Sequence, residues 1–469
     1  MHTSSESFYK DSQVAVGNRV LQTRLRVLSG FVTKRNAAFD GLPDGEALRD
    51  RARAIKAEAI ANLDRYLLQL EENVERLGGK VHWARDGEHA CAIILELARA
   101  RGVKRVVKSK SMVTEEIELN DALEEEGIGA VETDLGEYIV QLAHEKPSHI
   151  LAPAVHKSKG DVAELFAEKL GGVGLTEPED LTRLARVRLR EEFCTAEMGV
   201  TGANFAIAET GTVVLVENEG NIRLSTTLPR THVAVMGIEK VVPRFSDVAV
   251  FLKILARSAS GQKMSSYVSF ISGARRQGET DGAREFHLII LDNGRTRMLA
   301  DEEMREALYC LRCGACLNVC PVYQKVGGHA YGTVYSGPIG SVVTPELAGL
   351  AKAKDLPFAS TLCGACRDIC PVRINIPHML LTLRRRWSEQ GASRLERWAI
   401  RGWSRAMQNP RIYRAMFRLA AILGGPLAEG GWIRQLPFGS NGWTSNRDFP
   451  QVAPRSFASQ WKEMGGDWN

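Results

Sequence analysis

The sequence predicts an α/β domain built on a parallel sheet, followed by an all-α domain organised around cysteines. Three observations carry this. From Lys80 to about residue 296, short apolar runs alternate with amphipathic ones, the texture of strands and helices taken in turn. From about residue 300, strand alternation stops. Seven of the nine cysteines then fall into two runs, CLRCGACLNVCP (Cys310 to Pro321) and TLCGACRDICP (Thr361 to Pro371). At an offset of fifty residues the runs coincide at Cys313/Cys363, Gly314/Gly364, Ala315/Ala365, Cys316/Cys366, Cys320/Cys370 and Pro321/Pro371, while Cys310 falls opposite Ser360.

Taken in order, residues 1–78 form a helical segment in which LRDRARAIKAEAIANLDRYLLQLEENVERLGG keeps apolar residues at spacings of three and four. One long amphipathic helix is predicted there, stopped by Gly78-Gly79. An α/β domain spans 79–299. Its predicted strands include KVHWA, VKRVVKS, AVETD and HILAPAV, and its predicted helices GEHACAIILELARARG, SMVTEEIELNDALEEEG and LTRLARVRLREEF. The segment VTGANFAIAETGTVVLVENEGNIRLST reads as β-rich, and THVAVMGIEKVV and FHLIILDNGR as further strands. A helical cysteine domain occupies 300–385, and DEEMREALYCLRCGAC predicts a helix running straight into the first cysteine run.

A basic extension, 386–469, completes the chain. Arg384 to Arg418 holds ten arginines against two glutamates, with Trp387, Trp398, Trp403, Tyr413 and Phe417 among them. This reads as a helical hairpin packing on the cysteine domain, with a partner subunit or peripheral contact with an anionic membrane as the alternatives. The last forty residues, rich in Gly, Pro, Ser and Asn, read as an extended arm.

Bulk properties narrow the function classes. A net charge of +5 over 469 residues, without a basic run interleaved with stacking aromatics, argues against nucleic-acid binding. MHTSSESFYKDSQVAVGNRV has no apolar core of a secretory signal, so a cytoplasmic location is expected. The longest apolar patch, LAAILGGPLA, is broken by Gly-Gly-Pro and falls far short of the roughly 20 residues that span a bilayer. An odd cysteine count concentrated in two runs reads as metal binding in a reducing compartment.

The run Cys310-x2-Cys313-x2-Cys316-x3-Cys320-Pro321 has bacterial ferredoxin spacing, in which the fourth cysteine reaches to the other cluster. Crossing the ligands accordingly gives cluster 1 Cys310, Cys313, Cys316 and Cys370. Cluster 2 receives Cys320, Cys363 and Cys366, with Ser360 where a fourth thiolate belongs. Three outcomes stay open for it: a [4Fe-4S] cluster with an oxygen ligand on one iron, a [3Fe-4S] cluster, or a corner completed by a partner or substrate. A pair of zinc sites is the competing reading. Cys91 and Cys194 read as buried thiols packing as small apolar residues. With no G-x-G-x-x-G after a predicted strand, no P-loop and no C-x-x-C-H, the chain reads as a one-electron relay within a larger enzyme.

Three segments, CLRCGACLNVCPVY, LCGACRDICPVRI and GVTGANFAIAETGTVVL, together resemble the lactate utilization protein B family, and the resemblance covers nearly the whole chain. It implies a LUD domain similar to NagB/RpiA sugar-phosphate isomerase and CoA-transferase-like folds, a helical ferredoxin domain, and the same seven cluster cysteines. It further implies two [4Fe-4S] clusters and conversion of L-lactate to pyruvate. The implied partners are a cysteine-rich heterodisulfide-reductase-like subunit and a second LUD-domain protein. A relay for another 2-hydroxy acid such as glycolate, or a cluster-based redox sensor with a metabolite-binding α/β domain, are the alternatives.

Two places in the α/β domain are candidates for holding a ligand. Lys108, Lys110, Ser111 and Thr114 lie where a strand meets a helix, the usual ligand position in such sheets. Glu209, Thr210, Gly211 and Thr212 form a turn entering a strand, where amides and hydroxyls can hold a carboxylate or phosphate. Solvated lysines and a merely structural turn are the competing readings. His156 is a candidate general base, set against a structural role.

Overall fold

The computed structural model describes residues 7–391, 394–436, 444 and 447–466. The chain forms two compact units, Met1–Trp387 and Ser388–Asn469. The first contains ten strands: β1 Lys80–Ala84, β2 Arg105–Lys108, β3 Gly129–Glu132, β4 Met198–Thr201, β5 Phe205–Ile207, β6 Thr212–Glu217, β7 Thr231–Gly237, β8 Val241–Val242, β9 Tyr267–Ile271 and β10 Glu285–Leu291. Six of them make a parallel sheet in the order β1-β10-β7-β4-β2-β3. The other four form a mixed sheet, β8-β5-β6-β9.

Continuous apolar runs explain why β7 and β10 lie in the interior of the parallel sheet, since strands covered on both faces need no polar side. Their alternate residues divide between two cores. Val233, Val235, Ile289 and Leu291 pack with Ile94 and Ala98 of the helix Gly87–Ala100. Ala234, Met236, Leu288 and Ile290 face a larger core that takes in the N-terminal helices, the mixed sheet and the cysteine region. The α/β part and the cysteine part are therefore welded by one hydrophobic interior.

Several local expectations are corrected. The long helix over residues 48–79 is two helices, Gly45–Ala61 and Leu63–Arg76. Asn62 stands between them at φ −124°, its side chain turned back to donate to Glu58 O. Asparagine offers the backbone this local alternative to helix. The helix predicted over 111–127 breaks at Glu118, which has φ +57°. NIRLST, read as part of a β-rich stretch, lies in the helix Asn221–Thr227, and β9 was not anticipated. HILAPAV is not a strand but a run of turns and bends. Its polar groups are bonded by side chains and local turns: Leu151 N and Ala152 N donate to His149 Nδ1, Ser148 Oγ and Ser148 N to Pro153 O, and Val155 N to Ala152 O.

The helix expected to enter the first cysteine run is a short 3-10 turn, Arg305–Tyr309, after which Cys310 is extended. From there to Gln390 the regular elements are all helical among the described residues, the longest being Gly337–Ala348 and Ile376–Gln390. Cys91 is buried as expected, but Cys194 is exposed. On the helix Pro178–Thr195 the buried positions are Leu181, Ala185, Leu189 and Phe193, so a residue one step beyond Phe193 turns to solvent.

In the second unit, helices Arg394–Gln408 and Pro410–Gly424 are followed by a short antiparallel pair, Trp432–Ile433 with Phe449–Pro450, and a helix, Phe457–Glu463. The tail read as an extended arm thus contains regular elements, although residues 437–443, 445–446 and 467–469 lie outside the described set. Trp398, Trp403, Tyr413 and Phe417 are exposed. No helix among the described residues is long and apolar enough to cross a membrane.

Candidate functional site

The fifty-residue repeat is a repeat of backbone geometry. Arg312 and Leu362, each preceding the second thiol position of its run, have φ +60° and +55°, and Gly314 and Gly364 just after it have φ +73° and +85°. A left-handed residue on either side of the cysteine curls each loop tightly. For Arg312 and Leu362 this conformation costs roughly 1–2 kcal/mol apiece, a strain typical of functional loops. Arg312 N donates to Cys310 Sγ at 3.4 Å, and Leu362 N donates to Ser360 Oγ at 3.1 Å. Ser360 therefore holds, in the second loop, the position that Cys310 holds in the first.

Folding brings four of the cysteines, from both runs, around one cavity. Cys310, Cys313, Cys316 and Cys370 line this small cavity, closed by Ile150, Ile339, Ile374 and Ile376. Burial pushes the Cys313 thiol up to about 12, with Cys370 and Cys310 adding to the effect, and burial likewise raises Cys370 to about 11. Cys366 is raised to about 12 by burial and then by Cys320 and Cys363, and it adds in turn to the upward shift of Cys316. Cys363 is exposed. Among the described residues no three His, Cys, Asp or Glu side chains converge closely enough to hold a single metal ion. Crowded, buried thiols resist ionisation until a positive core is bound, and a soft, all-sulfur, apolar-walled set suits iron–sulfur ligation.

Residues far away in the chain hold this arrangement. On the helix Gly45–Ala61, Arg49, Arg53 and Lys56 recur at intervals of four and three and so share a face. Arg49 Nε and Nη2 donate to Cys370 O at 3.2 and 2.9 Å, and Nη2 also donates to Asp368 O. Arg53 Nη1 donates to Arg373 O at 2.8 Å, and Lys56 Nζ donates to Glu239 O. Sequence reading missed these residues. Their spacing was visible, but nothing local marks a basic stripe as facing inward.

The HILAPAV segment braces the first run from the other side. His149 Nε2 bonds Asn318 Oδ1 at 2.9 Å, and Tyr323 Oη donates to Ser148 O at 2.6 Å. Since Nδ1 accepts two amides, Nε2 carries the proton; burial depresses this imidazole to about 4 and keeps it neutral.

A second cavity, about 370 Å³, opens beyond the carboxyl ends of β2, β4 and β7, bounded by β6 and the helix Phe245–Ser260. Leu311, Arg312 and Cys313 form part of its wall, so it abuts the first cysteine loop. Part of its wall, Glu239, Arg295 and Tyr335, belongs to a buried network that the sequence did not reveal. Glu116 binds Arg295 through both oxygens at 2.8 and 2.7 Å and accepts from Tyr335 Oη, while Arg295 Nε reaches Glu239 at 2.7 Å. Tyr335 belongs to the cysteine region, so the network ties both parts together.

The candidate ligand residues part company here. Lys110 and Ser111 line the cavity. Lys108 does not: it is 1% exposed, bonded to Glu115, Glu132 and Thr114 at 2.7, 2.6 and 3.0 Å. Although burial opposes it, these carboxylates hold its ammonium above the usual lysine range. Thr114 is buried and bonded to Ser111 O. The Glu209–Thr212 turn packs elsewhere, with Glu209 accepting from Phe245 N, Thr210 and Thr212 bonded to each other, and Gly211 pressed on the Asn73 backbone. His156 is held by Glu145 at 2.6 Å and Ser148 at 2.8 Å, away from the cavity wall.

Comparison with known proteins divides the chain in three. The LUD domain matches residues 67–291, a 4Fe-4S dicluster domain 306–374, and the C-terminal domain of lactate utilisation protein B 383–465. Lactate utilization protein B of Shouchella clausii is 45% identical over 92% of this chain and 91% of its own length. The Lysinibacillus sphaericus protein of the same name is 43% identical over 98% of each. An Escherichia coli protein described as the uncharacterized electron transport protein YkgF is 45% identical over 92% of this chain and 90% of its own. A solved structure of a DUF162 family protein from Deinococcus radiodurans aligns with 49% of this chain and 98% of its own, at 15% identity and a TM-score of 0.28.

Proposed function

Since this chain belongs to the lactate utilization protein B family, we propose that it is the iron–sulfur electron-transfer subunit of a multi-protein system oxidising L-lactate to pyruvate. Its partners in this reading are a cysteine-rich subunit and a second LUD-domain protein. The α/β domain is assigned to 79–299 and a helical ferredoxin domain to 300–385. Cys310, Cys313, Cys316 and Cys370 hold cluster 1. Cys320, Cys363 and Cys366 hold cluster 2, with Ser360 at its fourth corner.

The observation that carries this reading is the crossing itself: Cys370, from the second run, lines the same cavity as three cysteines of the first. Bound there, the clusters supply one-electron carriers. The chain's own residues then set the route. Isoleucines enclose the first site against water, while the exposed Cys363 leaves the second within reach of a partner. Amides donating to Cys310, Cys320 and Cys370 Sγ at 3.4 to 3.5 Å offset thiolate charge and favour reduction.

The test is iron and acid-labile sulfide content with electron paramagnetic resonance on anaerobic protein. About seven or eight irons per chain are expected, with lactate reducing both clusters once the partner proteins are added. Cys370→Ala is expected to erase the cluster 1 signal and Cys363→Ala that of cluster 2. Colourless protein holding zinc would overturn the assignment, and loss of only cluster 2 in Cys370→Ala would overturn the crossing.

A further inference from the structure

The 370 Å³ cavity has an unbalanced wall. Its carboxylates are already engaged: Asp134 accepts from Gly136 N and Glu137 N, Glu217 from Ile222 N and Arg223 N, Glu219 from Leu135 N, and Glu239 from Arg295. Its donors are not. Ser109 Oγ, Lys110 Nζ and Arg312 Nη1 are all buried without a hydrogen-bond partner, and Ser109 is 1% exposed. Lys110 and Arg312 form only long ion pairs, at 3.9 Å with Glu137 and Glu239, beyond hydrogen-bond reach; Glu137 Oε1 is itself without a hydrogen-bond partner, and Arg312 lies over the Tyr335 ring.

Buried donors left unmade are expensive, so three on one cavity imply an acceptor that arrives from outside. An oxyanion meets this hydrogen-bond deficit and gains from the charge of Lys110 and Arg312. The remaining wall is largely aliphatic, with Leu215, Val235, Leu255 and Leu311, and the volume falls in the range of small-molecule sites. That combination suits an anion attached to a carbon framework.

We propose that this cavity binds a small organic oxyanion, a carboxylate or a phosphate ester, held by Ser109 and Lys110 of the α/β domain and Arg312 of the first cysteine loop. Because Leu311, Arg312 and Cys313 line the wall, the occupant touches the loop that carries two ligands of cluster 1. The site itself stands on geometry alone; the meaning of that contact for electron entry rests on the electron-transfer reading above.

The experiment is isothermal titration calorimetry on the full-length, cluster-loaded protein under anaerobic conditions, using L-lactate, pyruvate, inorganic phosphate and flavin mononucleotide in separate runs. Saturable binding of at least one is expected, and which of them binds separates the carboxylate from the phosphate ester. Lys110→Met and Arg312→Gln should each weaken it about tenfold or more. Ala259→Trp, which fills the cavity from the helix Phe245–Ser260 and leaves both cations in place, should abolish it. The bound anion should also shift the cluster 1 resonance. No saturable binding by any of the four at millimolar concentration, or equal affinity in all three variants, overturns the proposal. Such a failure with clusters intact leaves the electron-transfer reading standing, whereas colourless protein that still binds an anion does the reverse.

Discussion

Replacing Arg49 by methionine tests whether an N-terminal helix holds the second cysteine run in place. Methionine keeps the aliphatic stem and removes three N–H bonds to two carbonyls, Cys370 O and Asp368 O. Cys370 O retains the Arg373 amide at 3.1 Å, so the lower end of the charged hydrogen-bond range applies, about 1.5 kcal/mol for each carbonyl. The total is about 3 kcal/mol, which is roughly a hundredfold in a rate that depends on detaching the run. Part of that loss is absorbed by relaxation, so an acceleration of about tenfold is the least expected. The assay is anaerobic chelator challenge followed by electron paramagnetic resonance, with Arg49→Lys as the comparator that keeps the charge but not the fork. Cluster 1 should disappear first, because Cys370 is the ligand proposed for it. Unchanged loss kinetics, or prior loss of the cluster 2 signal, would refute the reasoning.

Ser360→Cys is expected to supply the missing thiolate and slow oxidative loss of cluster 2; unchanged lability on air exposure would show that Ser360 does not face an iron. Gly328→Ala places a Cβ 1.8 Å from Ser148 O and should cost at least about 1–3 kcal/mol by overpacking the brace between HILAPAV and the cysteine region, read as a lower urea midpoint. His232, buried and bonded to Thr201 Oγ1 at 2.8 Å, is depressed to about 3 by burial and then by His287. Its unfolded value is about 6.5, so unfolding takes up a proton below that pH. Stability from this neutral imidazole is full above pH 6.5 and falls by about 1.4 kcal/mol per unit as pH drops toward 3. The pH slope of the urea midpoint should accordingly be shallower in His232→Gln, and equal slopes would contradict the assignment.

Alternating strands and helices from Lys80 onward, the cysteine spacing and the fifty-residue repeat were legible in the sequence because each is a local or periodic property. Ferredoxin spacing even carries its own long-range statement, since its fourth thiolate must leave the loop. HILAPAV shows where local reading fails: its composition suits a strand, but its backbone groups bond to side chains of His149 and Ser148 and within local turns, Ser148 N to Pro153 O and Val155 N to Ala152 O. Lys108 and Lys110 show it again. Two residues apart on an extended segment, they differ by their neighbours alone, with Lys108 enclosed by Glu115 and Glu132 and Lys110 on a cavity wall.

By itself, then, the sequence determined the ligand chemistry and the periodicities, because thiol spacing and apolar repeat act over a few residues. Only the tertiary structure decided what surrounds them. Arg49 meets Cys370 across 321 residues, and Arg295 meets Glu116 across 179. Such contacts are fixed by which faces pack together, and no pattern along one segment encodes the partner that its buried charges will find.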